Sequence, residues 1–195
     1  MKQTEQNTVY SRSYRLFHWA MGLGFAALLI AGQQFNLNLS EAYKISGLQY
    51  HSSLGLVVLL SAVILLVKRF LRGDPRPAVN LQPLQKLAAN SAQISLYFLA
   101  VYVPVTGLIT AMYSHLPTKP FGLFNLSFMA NEQLFSQIRT AHELGTFAAI
   151  FLVSAHIAAA LHHHFIKKDA VLIAMTGNLK RIVPKRLTAA QRSSD

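Results

Sequence analysis

The sequence predicts an all-α protein: an integral membrane bundle of four helices with both termini in the cytoplasm. The composition is 52% hydrophobic and only 13% charged, against about 25% charged residues in an ordinary soluble domain. Four stretches are apolar for the roughly 20 residues that a spanning helix needs. The basic residues are concentrated in segments that an even number of spans would place on one side.

The four predicted spans are separated by short polar links. Proline and glycine mark the second and third links, "RGDPRPAVN" and "LPTKPFG". No small-residue cleavage site follows the first apolar stretch, so we interpret it as a retained helix. The predicted organisation is an N-terminal segment 1–15, a membrane domain 16–168 and a basic tail 169–195 that is surface-bound or mobile. The spans are Leu16–Phe35, Leu48–Val67, Ile94–Tyr113 and His142–Phe165.

The basic residues predict the orientation of the bundle. Of the 18 lysines and arginines, all but three lie in the N-terminal segment, the link after the second span, and the tail. The exceptions are Lys44, Lys119 and Arg139. The positive-inside rule makes the crowded side cytoplasmic, and a bacterial inner membrane is the predicted location. The net charge of +11 is then a topology signal and does not require nucleic-acid binding.

Two histidines of the fourth span predict two sites at different depths. His142 and His156 are fourteen residues apart, which places them on one helix face about 21 Å apart along the axis. His51 opens the second span on the outer side, and His18 opens the first span on the cytoplasmic side. We therefore expect the pairs His51–His142 and His18–His156. For any single membrane histidine, a hydrogen bond to a neighbouring helix is the alternative.

The residue types favour two b-type haems held by these pairs. The chain has no cysteine, which excludes thiolate metal sites, iron–sulfur clusters and covalent haem attachment through Cys-x-x-Cys-His. Zinc usually takes four ligands, whereas imidazole nitrogens ligate haem iron in pairs along its axis. Gly22, Gly55 and Gly145 lie one turn from three of the histidines and are expected to leave space for a porphyrin.

Further polar residues are candidates for weaker roles. Arg15 and Arg139 each precede a histidine by three residues and are candidate partners of haem propionates. The alternative for Arg15 is that it is only one of the basic residues that set the orientation of the bundle. His115 is expected in a solvated loop, with proton release or quinone access as the lesser alternative. Three further histidines are interpreted as a polar helix end, with a propionate contact open for one of them: His162, His163 and His164.

The residues from about 10 to 170 resemble the bacterial cytochrome b561 family. The resemblance is carried by "FHWAMG", "QYHSSLGL", "LYFLAVYVPVTGL", "PTKPFG", "AHELG" and "AHIAAALHHHFIKKD". It implies a four-helix membrane core with two b-type haems on His18 with His156 and His51 with His142. One departure concerns the start of the third span, where some members carry histidines and this chain has Asn90 and Gln93. Any contact that those histidines make to quinone or haem is therefore in doubt here.

Together with the histidine pairs, the resemblance implies transmembrane electron transfer coupled to ubiquinone or another membrane quinone. The resemblance adds oxidation of periplasmic superoxide as a candidate activity, and Lys119 and Arg139 would steer that anion on the outer side. One alternative is an anchor subunit that carries electrons for a separate dehydrogenase, in contact with a soluble redox partner. Another is a haem-free membrane scaffold or carrier.

Overall fold

Four long helices account for most of the residues that the computed structural model describes, which are 10–33, 37–72 and 82–177. A short fifth helix follows them. Each of the four is long and apolar enough to cross a membrane, and the described residues contain no strand. The predicted class, an all-α bundle of four spans, is confirmed. The helices are α1 Arg12–Gln33, α2 Glu41–Arg72, α3 Pro83–Tyr113, α4 Glu132–His162 and α5 Val171–Thr176.

The helix ends follow from local chemistry. The Ser11 hydroxyl oxygen accepts the Tyr14 amide at the start of α1, and the Asn131 side chain accepts the Leu134 amide at 3.0 Å at the start of α4. Proline occupies the first position of α3, where its missing N–H costs nothing. A π-helical turn, His163–Lys167, closes α4, and Lys168 in the left-handed region ends it.

The helices pack as neighbours in sequence, α1 against α2, α2 against α3 and α3 against α4. The buried apolar core is slim, and its largest share is one face of α2, at Val58, Ala62 and Leu65. Many large apolar side chains are exposed instead, among them Ile30, Phe70 and Phe151. An apolar exterior around a thin core is the pattern expected where lipid replaces water as the solvent.

Three helices are longer than the predicted spans. α2, α3 and α4 begin at Glu41, Pro83 and Glu132, seven to eleven residues before the apolar stretches start. At 32 residues, α2 is about 48 Å long, well beyond a hydrocarbon core of about 30 Å. His51 and His142 therefore do not open their helices, as the sequence suggested, but lie three turns inside them.

The start of the predicted tail is folded. The Tyr10 amide donates to the Ala174 carbonyl at 3.2 Å, and the Trp19 indole N–H donates to the Met175 carbonyl at 3.2 Å. Ile173 and Ala174 are buried. Residues of α5 thus contact α1 and the segment just before it. Residues 1–9 and 178–195, where the rest of the predicted terminal segments falls, lie outside the described residues.

The two ends of the bundle differ. The basic end comprises the starts of α1 and α3, the ends of α2 and α4, and α5. The loop end carries the segment 114–131 between α3 and α4. That segment is anchored, because Thr118 is buried and the Phe121 amide donates to the Ser53 hydroxyl of α2 at 2.7 Å. Phe121 and Gly122 adopt positive φ, which turns the chain sharply at this point.

Candidate functional site

The structure brings His18 and His156 together near the basic end. His18 belongs to α1 and His156 to α4, and their ring centroids lie 6.3 Å apart with an angle of 63° between the planes. The two helices are remote in sequence, so only the tertiary fold makes this pair. These are the two histidines that the sequence analysis paired from their expected depth in the membrane.

The second pair lies nearer the loop end. His51 of α2 and His142 of α4 have ring centroids 6.4 Å apart, with their planes at 80°. Both pairs therefore share α4 and differ in the helix that supplies the other imidazole. The sequence predicted this arrangement from helix spacing and span direction.

The spacing within each pair suits one metal ion between two imidazoles. With metal–nitrogen bonds of about 2.0 Å, two axial imidazoles on one metal have ring centres about 6 Å apart. The observed 6.3 and 6.4 Å meet that requirement. Among the described residues, no three histidine or acidic side chains gather as a metal cluster. Each pair would supply two imidazole nitrogens with no third donor in the described part of the chain, a donor set that suits a b-type haem.

A carbonyl oxygen fixes the tautomer of His142. Its Nδ1 lies 2.9 Å from the backbone oxygen of Val103 on α3. Because a carbonyl only accepts, Nδ1 carries the hydrogen and Nε2 keeps its lone pair. Metal-ligating histidines usually donate their second N–H in this way, which orients the ring and raises its basicity. Thr106 adds its hydroxyl oxygen 3.3 Å from the same Nδ1.

Gly107 gives this imidazole its place against α3, a role that the sequence reasoning missed. A Cβ added at Gly107 would lie 3.0 Å from Cε1 and 3.3 Å from Nδ1 of His142. A glycine inside a helix costs about 1 kcal/mol relative to alanine, so its presence in "PVTGL" was a signal of close approach. The approaching group could not be named from α3 alone, because His142 is 35 residues further on.

The three glycines predicted to admit a porphyrin fall into two groups. A Cβ added at Gly22 or Gly55 would meet nothing within 4 Å, so open space adjoins each histidine one turn away. Gly145 differs, since an added Cβ would lie 2.6 Å from Cε1 of the Tyr102 ring. Gly145 therefore lies where α4 packs closely on α3, and its place beside a porphyrin stays a prediction.

Arg15 lies one turn before His18 at the basic end. Its Nε is buried and has no hydrogen-bond partner within the described part of the chain. Its guanidinium lies against Gly177, where any side chain would overlap with it. A buried, unsatisfied guanidinium nitrogen beside a candidate ligand is what an anionic propionate would complete.

Arg139 is already paired. Its Nε donates to Glu143 Oε1 at 2.8 Å, one turn along α4, and both side chains are about half exposed. The sequence reasoning considered Arg139 as a propionate partner and overlooked Glu143 four residues later, the standard spacing for a helical ion pair. The structure thus gives Arg139 a surface partner and weakens the case for a haem contact.

The remaining histidines do not join either pair. The Nδ1 atom of His163 lies 2.5 Å from Asp169 Oδ2, and Asp169 Oδ1 accepts the Val171 amide at the start of α5. His163 thus helps to join the end of α4 to α5. His115 is exposed in the loop-end segment, in agreement with its interpretation as a solvated loop residue. His162 is exposed and His164 half-buried.

Comparison with known proteins agrees with this architecture. The chain is 25% identical over 164 residues to cytochrome b561 homolog 2 of Escherichia coli strain K12, covering 83% of this chain and 87% of that one. It is 27% identical over 172 residues to cytochrome b561 homolog 1 of the same organism, covering 85% and 96%. A sequence model described as prokaryotic cytochrome b561 matches residues 9–178. The chain therefore belongs to the prokaryotic cytochrome b561 family of membrane b-type electron-transfer proteins.

Proposed function

We propose that this protein binds two b-type haems and transfers electrons across the membrane to or from a quinone. His18 with His156 would hold one haem, and His51 with His142 the other. The observation that carries the proposal is the pair of imidazole spacings, 6.3 and 6.4 Å, on one shared helix. When bound, b-type haem supplies reversible one-electron oxidation and reduction.

The chain's own residues prepare both sites. Val103 and Thr106 hold the His142 ring in the tautomer that leaves Nε2 free to ligate. The open space at Gly22 and Gly55 lies on the faces of His18 and His51. Arg15 offers a buried positive group for a propionate at the basic end. The apolar exterior excludes water from the helix faces between the two depths.

The first experiment is a count of haems with one ligand removed at a time. The purified protein should show a reduced-minus-oxidised spectrum of b type and two haems per chain. H156A should lose the haem at the basic end and keep much of the other, and H51A should do the reverse. A colourless protein after expression with ample haem, or one haem that survives both changes, would contradict the proposal.

The identity of the quinone and the direction of electron transfer need an experiment of their own. We propose ubiquinone or another membrane quinone as one redox partner, in a bacterial inner membrane with the basic end cytoplasmic, supported by the basic residues at that end. Quinol added to oxidised protein in liposomes should reduce the haem iron, and the absorbance spectrum should change to that of a reduced b-type haem. A b-type spectrum unchanged by quinol and by quinone would remove the quinone from the proposal.

Superoxide is our candidate donor at the loop end. Two superoxide anions would give two electrons and two O₂ molecules, and one quinone would take the two electrons and two protons to become quinol. Exposed Lys119 supports steering of the anion, whereas the charge of Arg139 is offset by Glu143. Stopped-flow mixing with superoxide should reduce the haem faster than spontaneous dismutation removes superoxide, and K119E should slow it. No reduction above the dismutation control would end this candidate.

Two other functions remain distinguishable by experiment. An anchor subunit for a separate dehydrogenase would co-purify with that enzyme and would not react with superoxide alone. A haem-free scaffold or carrier would show no b-type spectrum. The histidine pairs favour a haem protein over the scaffold, and the purification separates the anchor subunit from a stand-alone oxidoreductase.

A further inference from the structure

The chain that follows α4 folds back onto α1 and forms a strap, residues 168–177, at the basic end. The strap consists of the turn between α4 and α5, α5 itself and Gly177, and none of its residues is a candidate haem ligand. We propose that the strap is a positioning device for the haem of His18 and His156. Gly177 holds the Arg15 guanidinium beside His18, where its charge raises the reduction potential of that haem. The inference rests on the proposed function and concerns this one site.

The strap is attached to both helices that supply the imidazoles of this site. At its start, the His163 Nδ1 atom at the end of α4 lies 2.5 Å from Asp169 Oδ2, and Asp169 Oδ1 accepts the Val171 amide at 3.1 Å. Near its end, the Trp19 indole N–H of α1 donates to the Met175 carbonyl at 3.2 Å. The strap therefore connects the helix of one ligand with the helix of the other.

The end of the strap lies on the side of α1 next to His18. Arg15 lies between His18 and Trp19 around the helix surface, because it precedes them by three and four residues. Trp19 and Arg15 contact the strap at its last residues, Met175 and Gly177. The Trp19 ring also meets the His18 ring edge to face, with centroids 5.9 Å apart. Both residues that touch the strap are thus neighbours of the candidate ligand.

Gly177 decides where the guanidinium lies. It ends α5 with φ at 78° in the left-handed region, and its amide donates to the Ile173 carbonyl at 2.8 Å, which is the usual position of a glycine after a helix. A Cβ at this position would overlap with Arg15 Nη1. Because the guanidinium is the free end of a long side chain, it would have to move away. The glycine thus permits a close approach that any other residue would prevent.

The charge held in this way is available to a haem propionate. Arg15 Nε is buried and has no hydrogen-bond partner in the part of the chain that the structure describes. The carboxylate of the strap, Asp169, is engaged by His163 and by the Val171 amide. A cation beside a haem favours its reduced form, because reduction adds one electron, and nearby charge is one of the properties by which a protein sets a haem potential.

A redox titration of the single haem at the basic end tests the proposal. The parent is H51A, which should retain only the haem of His18 and His156, and each titration is normalised to the haem bound. At a fixed applied potential, R15Q should lower the ratio of reduced to oxidised haem about threefold, and G177A about twofold. If H51A fails to fold, the same shifts should appear in one of the two haem transitions of the otherwise unchanged chain.

Matched variants separate positioning from general charge and from strain. R15K keeps the charge and should recover most of the ratio. R12Q removes an exposed charge one turn away and should change the ratio less than about 1.5-fold, because water and salt screen that charge. G177N should act as G177A does, since asparagine tolerates the left-handed region but also carries a Cβ. R15Q/G177A should match R15Q alone, because Gly177 acts through the guanidinium.

Three outcomes would overturn the proposal. Equal ratios in G177A, G177N and the parent would show that Gly177 does not position the guanidinium. A further fall in R15Q/G177A below R15Q would make the effect of the strap independent of Arg15. Equal falls in R12Q and R15Q would reduce the effect to charge at the basic end. All three leave the proposed function standing, whereas a chain with its four histidines intact and no b-type spectrum would overturn that function and this inference together.

Discussion

At the scale of single residues, the proposed haem binding depends on how each imidazole is held, and His142 is held by both a hydrogen bond and a glycine. His142 has two supports on α3: the Val103 carbonyl orients its ring, and Gly107 provides the space for it. Neither support is visible from α4, where the ligand itself lies. A ligand can thus be inferred from its own helix, while its orientation is decided by the neighbouring one.

G107A tests this support. The new Cβ would lie 3.0 Å from the His142 ring, so the imidazole must shift, and the Nδ1–Val103 hydrogen bond should weaken. On the proposed count of two haems, we expect the haem content to fall towards one, with the remaining haem that of His18 and His156. G32A is the matched control, because its Cβ would lie at an ordinary 3.9 Å from Cε1 of His51. Equal haem contents in the two variants would contradict the role given to Gly107.

The open spaces at Gly22 and Gly55 give a second prediction at this scale. A leucine at either position would meet no protein atom near its Cβ and should leave the helices intact, yet it would fill the space proposed for a porphyrin. G22L should lose the haem of His18, and G55L that of His51. A27L adds the same side chain at an exposed position of α1 and should retain both haems. Full haem content in G22L and G55L would place the porphyrins elsewhere.

At the scale of elements, α3 and α4 form the structural unit that holds the site. Each helix has one glycine that accommodates a ring from the other: Gly107 faces His142, and Gly145 faces Tyr102. The Tyr102 hydroxyl also reaches the Ala141 carbonyl at 3.4 Å. α3 carries no candidate ligand, and its contribution is to fix α4, on which both histidine pairs depend.

G145A should weaken this contact between the two helices. Alanine is the better helix former by about 1 kcal/mol, but a Cβ at 2.6 Å from the Tyr102 ring overpacks the interface, at a cost of about 1–3 kcal/mol. We expect a lower melting temperature, measured by the loss of haem absorbance on heating. In G145A/Y102A the combined loss should be smaller than the sum of the two single losses. Additive losses would mean that the two residues do not interact.

At the scale of the whole molecule, the two ends of the bundle differ in charge and in construction. The basic end is closed by α5, which is held by Trp19 of α1 and by Tyr10 just before α1. The loop end is closed by the segment 114–131, which is anchored on α2 through Ser53. The positive-inside rule predicts a cytoplasmic basic end.

Single cysteines test that orientation cleanly, because the chain has none of its own. Lys119 at the loop end and Lys168 at the basic end are both exposed. In intact cells, a membrane-impermeant maleimide should label K119C and leave K168C unlabelled, while permeabilised cells should show both. The reverse pattern would invert the orientation and the side assigned to each haem.

The sequence by itself determined the four apolar spans and the four candidate ligands with their pairing, because helix periodicity and span direction are properties of the chain. It did not determine the lengths of α2, α3 and α4, since helices continue past the apolar stretch wherever backbone hydrogen bonds and caps allow. Nor did it determine the neighbours of Gly145, Gly107 and Arg139, or the folding of residues 169–177 onto α1. Those depend on which helix faces meet, and contacts between residues far apart in the chain are fixed only when the side chains pack.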